Sequence, residues 1–278
     1  MADPSIDPEP VRSARRTGEH VARSSGFEWM ARGGFVARGV VYIVIGILAI
    51  KLAAGSGGAN PSQQGALKAV AAQPFGKLLL ILIAIGLAGY ALWRIVRALL
   101  GHGREGADRD LDRVAALASG VVYSVLCALA VTILLGSGGG SGNAKSATAG
   151  VLGWPAGTWL VGIAGAVLVG VGLYQGYRGV SKDFLEDSKT EQMSPAVRRW
   201  LEWIGTVGYL ARMLVFGLVG GFLIKAAVDY NPDKAVGLDG ALAKVDHASY
   251  GPFLLAIVAA GLIAFGVYSL ADSRYRRI

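Results

Sequence analysis

WPAGTWLVGIAGAVLVGVGLYQGY, residues 154–177, carries no charged side chain. As a helix it rises about 36 Å, enough to cross a hydrocarbon core of ~30 Å. Apolar residues occupy its whole circumference, so it has no polar side to turn toward water. Glycine recurs along it, which is ordinary in membrane helices and rare in soluble ones.

Five other segments read the same way, and the six spans fall at residues 35–54, 75–99, 114–135, 154–177, 204–228 and 252–270. The 278 residues are 53% hydrophobic and 17% charged, whereas soluble domains are about a quarter charged. Charge is confined to the stretches between spans. An all-α polytopic membrane protein is expected.

Basic residues set the orientation. With the N-terminus inside, one side holds every arginine plus Lys182 and Lys189, and the other holds seven lysines: Lys51, Lys68, Lys77, Lys145, Lys225, Lys234 and Lys244. Both termini are therefore expected in the cytoplasm of a bacterial cell, with the chain in its plasma membrane. The net charge of +8 follows from this topology, and no nucleic-acid partner is expected. Residues 1–26 hold arginines, prolines and acids but no apolar h-region, so they read as a disordered cytoplasmic tail rather than a signal peptide. The outside loops near residues 55–58 and 136–142 are glycine-rich and flexible.

The spans repeat. A shift of 81 residues aligns Gly39-Val40-Val41-Tyr42 with Gly120-Val121-Val122-Tyr123, and also Gly76 with Gly157, Trp93 with Tyr174 and Arg97 with Arg178. A shift of 174 aligns Ala37-Arg38 with Ala211-Arg212, Tyr42 with Phe216 and Lys51 with Lys225. One further residue of shift pairs Gly76 with Gly251, Tyr90 with Phe265 and Trp93 with Tyr268. The chain thus divides into repeats at 27–106, 107–181 and 201–278, with a cytoplasmic linker at 182–200. Ser194-Pro195 in that linker opens an interfacial helix. Parallel repeats share an axis along the membrane normal, so a pseudo-threefold six-helix bundle is expected. Short outside helices are expected near residues 65–72 and 240–245.

These repeats, with Gln73-Pro74-Phe75-Gly76 and Gly86-Leu87-Ala88-Gly89-Tyr90-Ala91-Leu92-Trp93-Arg94, resemble the bacterial three-repeat membrane proteins of domain-of-unknown-function family 1206. The resemblance runs from about Glu28 to the end. It implies the triplicated layout and no activity.

Chemistry is sparse. Cys127 is the only cysteine, and His20, His102 and His247 lie far apart, so no metal site or cofactor is expected. No Asp or Glu falls inside a span, and Asp272 is read at the cytoplasmic end of the last one. Proton and cation coupling usually depend on such carboxylates. No catalytic set converges, and no enzyme is expected.

The polar positions common to the repeats are the candidates. Arg38 and Arg212 are equivalent and lie four residues before Tyr42 and Phe216, with Ser119 and Tyr123 in the second repeat. Lys51, Thr132 and Lys225 are equivalent at the other end. The plainest reading is snorkelling of each cation to its own interface. The functional reading has Arg38 and Arg212, with Arg97 and Arg178, holding an anion or lipid headgroup at a cytoplasmic vestibule. A second stripe places Trp93, Tyr174 and Tyr268 either in an interfacial belt or in a ring around a central cavity. Glycines four apart suit a compact bundle or a dimer face. Three roles follow for comparison: a non-enzymatic scaffold or accessory subunit with a basic cytoplasmic face, a small transporter or channel for an anion or neutral solute along the axis, and a membrane enzyme. The expected partners are the bilayer, its anionic lipids, and a second copy or another membrane protein.

Overall fold

The computed structural model describes residues 25–56, 60–100, 110–136, 144–154, 156–231, 234–235, 237–247 and 250–276. The expected tail, up to residue 24, lies outside the described residues. Among the described residues there are six long helices: α1 (Ser25–Ala53), α3 (Gly76–Leu100), α4 (Asp110–Leu134), α6 (Gly157–Ser181), α7 (Pro195–Val228) and α9 (Gly251–Tyr275). All six are long and apolar enough to cross a membrane. Three short helices, α2 (Gln63–Ala71), α5 (Ala144–Leu152) and α8 (Leu238–Asp246), each precede the second long helix of a repeat. The protein is a polytopic, all-helical membrane protein with triplicated hairpins. Leu78, Leu82 and Ile85 on α3, Val121 and Val125 on α4, and Ile163 on α6 are exposed. In water they would form an unpartnered apolar surface; in a bilayer they face lipid.

Local chemistry fixes the helix starts. Ser62 caps α2 by accepting from the Gly65 amide at 3.0 Å. Ser194 caps α7 by accepting from the Val197 amide at 3.4 Å, with Pro195 opening the first turn. α7 then runs unbroken for 34 residues, about 51 Å, so it projects beyond the hydrocarbon core. Trp200 and Trp203 are exposed on that projection, at the depth where tryptophan anchors in the interface.

The turn into each second helix is the same three times. Phe75, Ala156 and Tyr250 all have positive φ, at 61°, 105° and 60°. The glycine after each (Gly76, Gly157, Gly251) lies against the last carbonyls of the preceding short helix, where a Cβ has no room. A left-handed backbone at a residue with a side chain costs about 1–2 kcal/mol. Ala156→Gly is accordingly expected to raise stability by up to ~1 kcal/mol, read as a higher unfolding midpoint in detergent.

The repeats meet through one recurring interface. Gly46 of α1 lies on the Ala259 carbonyl of α9, Gly220 of α7 lies on the Gly165 carbonyl of α6, and Cys127 of α4 donates to the Ala84 carbonyl of α3 at 3.5 Å. These are equivalent positions under the shifts described above. Within the hairpins the picture differs. The first closes where Gly34 lies on the Gly86 carbonyl and the Tyr90 backbone, and the third closes where Gly208 lies on the Phe265 backbone and Gly261 on the Ala211 methyl. The residues equivalent to those glycine pairs in the second repeat are Ala115 and Val167. A valine stands where the other two hairpins have the glycine of the crossing, and Val167 is 57% exposed. Among the described residues α4 and α6 form no extended helix interface. The six long helices therefore pack in the order α4, α3, α1, α9, α7, α6, an arc open between its ends. This packing order does not show the pseudo-threefold arrangement expected above. The end helices show the opening: the α4 and α6 spans are each 22% buried, against 56% for α1.

Candidate functional site

A band of aromatic and arginine side chains crosses the inside of this arc near its basic end. Two aromatic triads, equivalent by the repeat shifts, anchor it. Phe35, Tyr90 and Trp93 pack with ring centroids 5.1–5.5 Å apart, and Tyr209, Phe265 and Tyr268 pack at 5.5–6.1 Å. The second repeat has Ala116, Val171 and Tyr174 at these positions and so lacks a full triad. Neighbouring helices join the triads: Tyr42 of α1 lies 4.8 Å from Phe265, and its equivalent Tyr123 of α4 lies 4.4 Å from Tyr90.

Arg38 sits between the triads. Its Nε donates to the Ser269 hydroxyl at 2.7 Å, and its Nη1 donates to the Tyr90 hydroxyl at 2.7 Å. Its guanidinium lies over Phe35, Tyr90 and Phe265 at 4.8–5.2 Å. Its Nη2 is 3.6 Å from an Asp272 carboxylate oxygen. Arg38 is 6% exposed and Asp272 is 0% exposed. The snorkelling reading is corrected here, since Arg38 is buried; Asp272 lies near the end of α9, as read from the sequence, and is enclosed by the bundle. An arginine this deep must be paired because its desolvation is so unfavourable, and the pairing holds it inward.

The ion pairs continue outward. Arg276 donates to Asp272 at 3.1 Å and to Asp187 at 2.7 Å, and Arg178 donates to Asp187 at 2.9 Å. Burial opposes the charge on Arg276, but the Asp187 and Asp272 carboxylates outweigh it and raise its pKa, so the group stays charged. The linker carrying Asp187 is stitched to the end of α9: the Lys189 amide donates to the Tyr275 carbonyl at 2.7 Å, and Ser188 pairs with Arg276. Phe184 of the same linker is fully buried, stacked on Tyr209 and edge-on to Tyr268. The linker is a lid over the third hairpin. Arg178 is thus a lid anchor rather than a residue of an open vestibule.

Arg212 is placed differently from its equivalent Arg38. It faces Tyr42, Phe216 and Phe265 at 4.4–5.4 Å. With the Gln175 amide turned oxygen-first, it donates to that oxygen at 3.0 and 3.3 Å. Among the described residues no carboxylate pairs with it, and its Nε is buried without a hydrogen-bond partner. The Arg97 side chain lies outside the described residues. Trp93 and Tyr268 are each buried within their own triad. Lys51, Thr132 and Lys225 all point outward, in keeping with interfacial snorkelling at the opposite end.

Sequence reasoning missed Asp187, Arg276, Gln175, Phe35 and Tyr209. Only the last two left a signal, since Phe35 and Tyr209 coincide under the 174-residue shift.

A family model described as Domain of Unknown Function (DUF1206) matches three times, over residues 33–101, 114–182 and 207–276. The Bacillus subtilis (strain 168) protein described as "Uncharacterized protein YxxB" is 36% identical over 252 residues, 89% of this chain and 90% of the relative. No solved structure matches.

Proposed function

We propose a non-enzymatic role for this chain, which belongs to the DUF1206 family: that of a scaffold or accessory subunit of a bacterial cell membrane, its basic end toward the cytoplasm. One observation carries this reading. The charged residues of the interior are mostly spent on one another, with Arg38, Arg276 and Arg178 interlocked with Asp272 and Asp187 under a fitted lid. A conduit needs its polar groups facing a path, and a hydrolytic centre needs a free nucleophile or base. This network offers neither, and what it does supply is rigidity. Exposed Arg113, Lys182, Arg198 and Arg199 at the same end suit contact with anionic headgroups or an acidic partner surface.

The test is solute flux in liposomes reconstituted with the purified full chain, assayed with chloride, phosphate and glycerol. Flux equal to that of protein-free vesicles is expected. Flux that Arg38→Gln abolishes would favour the transporter instead and end the scaffold reading.

A further inference from the structure

The interior band holds more positive charge than it neutralises. Among the described residues, Arg38, Arg94, Arg178, Arg212 and Arg276 contribute five guanidinium groups, and Asp187 and Asp272 are the carboxylates that face them. Arg94 leans on the Tyr90 hydroxyl at 3.1 Å and on the Tyr90 and Trp93 rings. Arg212 has three aromatic faces, one amide oxygen and an Nε with nothing to donate to. Aromatic faces attract a cation through their quadrupoles, but they do not accept an in-plane N–H hydrogen bond. The helix at this level faces an apolar medium: Val207 and Leu214, five residues before and two after Arg212 on α7, are exposed on its outer face. An uncompensated charge at that level is unfavourable enough that proteins ordinarily supply a counter-ion.

Access to this place is built into the arc. Gln175 stands on α6 and Tyr123 on α4, the two helices that leave the second hairpin open. Tyr123 packs on Tyr90, whose hydroxyl accepts from Arg38. The opening between α4 and α6 therefore borders the side of the band that holds Arg212, which, like Arg94, has no carboxylate partner among the described residues.

We propose that Arg212, with Gln175 and the faces of Tyr42, Phe216 and Phe265, is a binding site for an oxyanion, a phosphate or carboxylate group, reached sideways between α4 and α6. A forked guanidinium suits such a group because two parallel N–H bonds can meet two oxygens. The same chemistry is available from an anionic lipid headgroup and from a soluble phosphate, and the inference does not depend on the subunit role proposed above.

The full chain in nanodiscs of equal phosphatidylglycerol and phosphatidylcholine is extracted, and the co-purifying lipids are counted by native mass spectrometry. A parallel sample in neutral detergent is titrated with sodium phosphate while its unfolding midpoint is followed. Three variants accompany the wild type. Arg212→Gln removes the charge. Gln175→Glu places a built-in carboxylate against Arg212 and is expected to fold at least as well as the wild type. Lys225→Gln removes an exposed cation of the same helix. Selective retention of phosphatidylglycerol, reduced at least tenfold by both Arg212→Gln and Gln175→Glu and unchanged by Lys225→Gln, is the result expected for a lipid headgroup. A phosphate-dependent midpoint shift with the same variant pattern, without retained lipid, identifies a soluble oxyanion at the same site. Neither response in the wild type, or a response that Gln175→Glu leaves intact, overturns the proposal.

Discussion

Asp272→Ala is expected to destabilise the protein by about 3–5 kcal/mol, the range found when one partner of a buried ion pair is removed. The carboxylate is fully enclosed, and it faces Arg276 at 3.1 Å and Arg38 at 3.6 Å. Removing it leaves two guanidinium groups in an apolar interior. Arg38 would keep its bonds to Ser269 and Tyr90 and its three ring faces, while Arg276 would keep Asp187. The loss falls short of a bare buried charge for that reason. Chemical unfolding of the purified protein in detergent provides the measurement, and Arg38→Met provides the control. In the Asp272→Ala background Arg38→Met should be much milder than in the wild type, with a coupling of at least ~1 kcal/mol between the two sites. If Asp272→Ala unfolds within ~1 kcal/mol of the wild type, water reaches the pair and the buried network described above is wrong.

The spans were legible because bilayer thickness and backbone satisfaction leave the chain one solution, an apolar helix of about 20 residues. The short helices were legible only where their composition is helical. Residues 63–71 and 238–246 were located approximately, but Ala144–Leu152 was not anticipated. Its alanine, serine and threonine content beside a glycine-rich loop reads as connector. The 81-residue shift, which carries 63–71 onto 144–152, held the information nonetheless. The Arg38–Asp272 pair was not legible for a different reason. Its members are 234 positions apart, and both lie near span ends where a charge can as easily turn outward. Helical periodicity states which face a residue shares, and only the packing of α1 against α9 decides that this face is closed. Likewise the repeat shifts carry Gly86 onto Val167 and onto Gly261, but an alignment of positions does not reveal which pair of backbones must touch.

That valine leads to the second large effect. Gly86→Val, which gives the first hairpin the residue found in the second, is expected to cost about 3 kcal/mol, the upper end for overpacking a tight contact. A Cβ on Gly86 already lies 2.7 Å from the Gly33 carbonyl and 2.8 Å from the Ala37 methyl, and valine adds two further methyls to that contact. Gly261→Val should behave in the same way in the third hairpin, where a Cβ meets the Ala211 methyl. Val167→Gly should shift stability by no more than ~0.5 kcal/mol, since an exposed side chain in an unmade interface supports little. Distance can be read alongside stability. With Cys127 changed to alanine, cysteines at Ala118 and Val167 occupy the positions equivalent to Ala37 and Gly86, where a Cβ on Gly86 lies 2.8 Å from the Ala37 methyl in the first repeat. A disulfide needs Cα atoms within about 7 Å, and an open second hairpin holds them farther apart, so no oxidative cross-link is expected. Rapid cross-linking would mean that α4 and α6 close in the membrane. The difference between valine and glycine at the crossing would then no longer account for an arc, and the path to Arg212 would be shut.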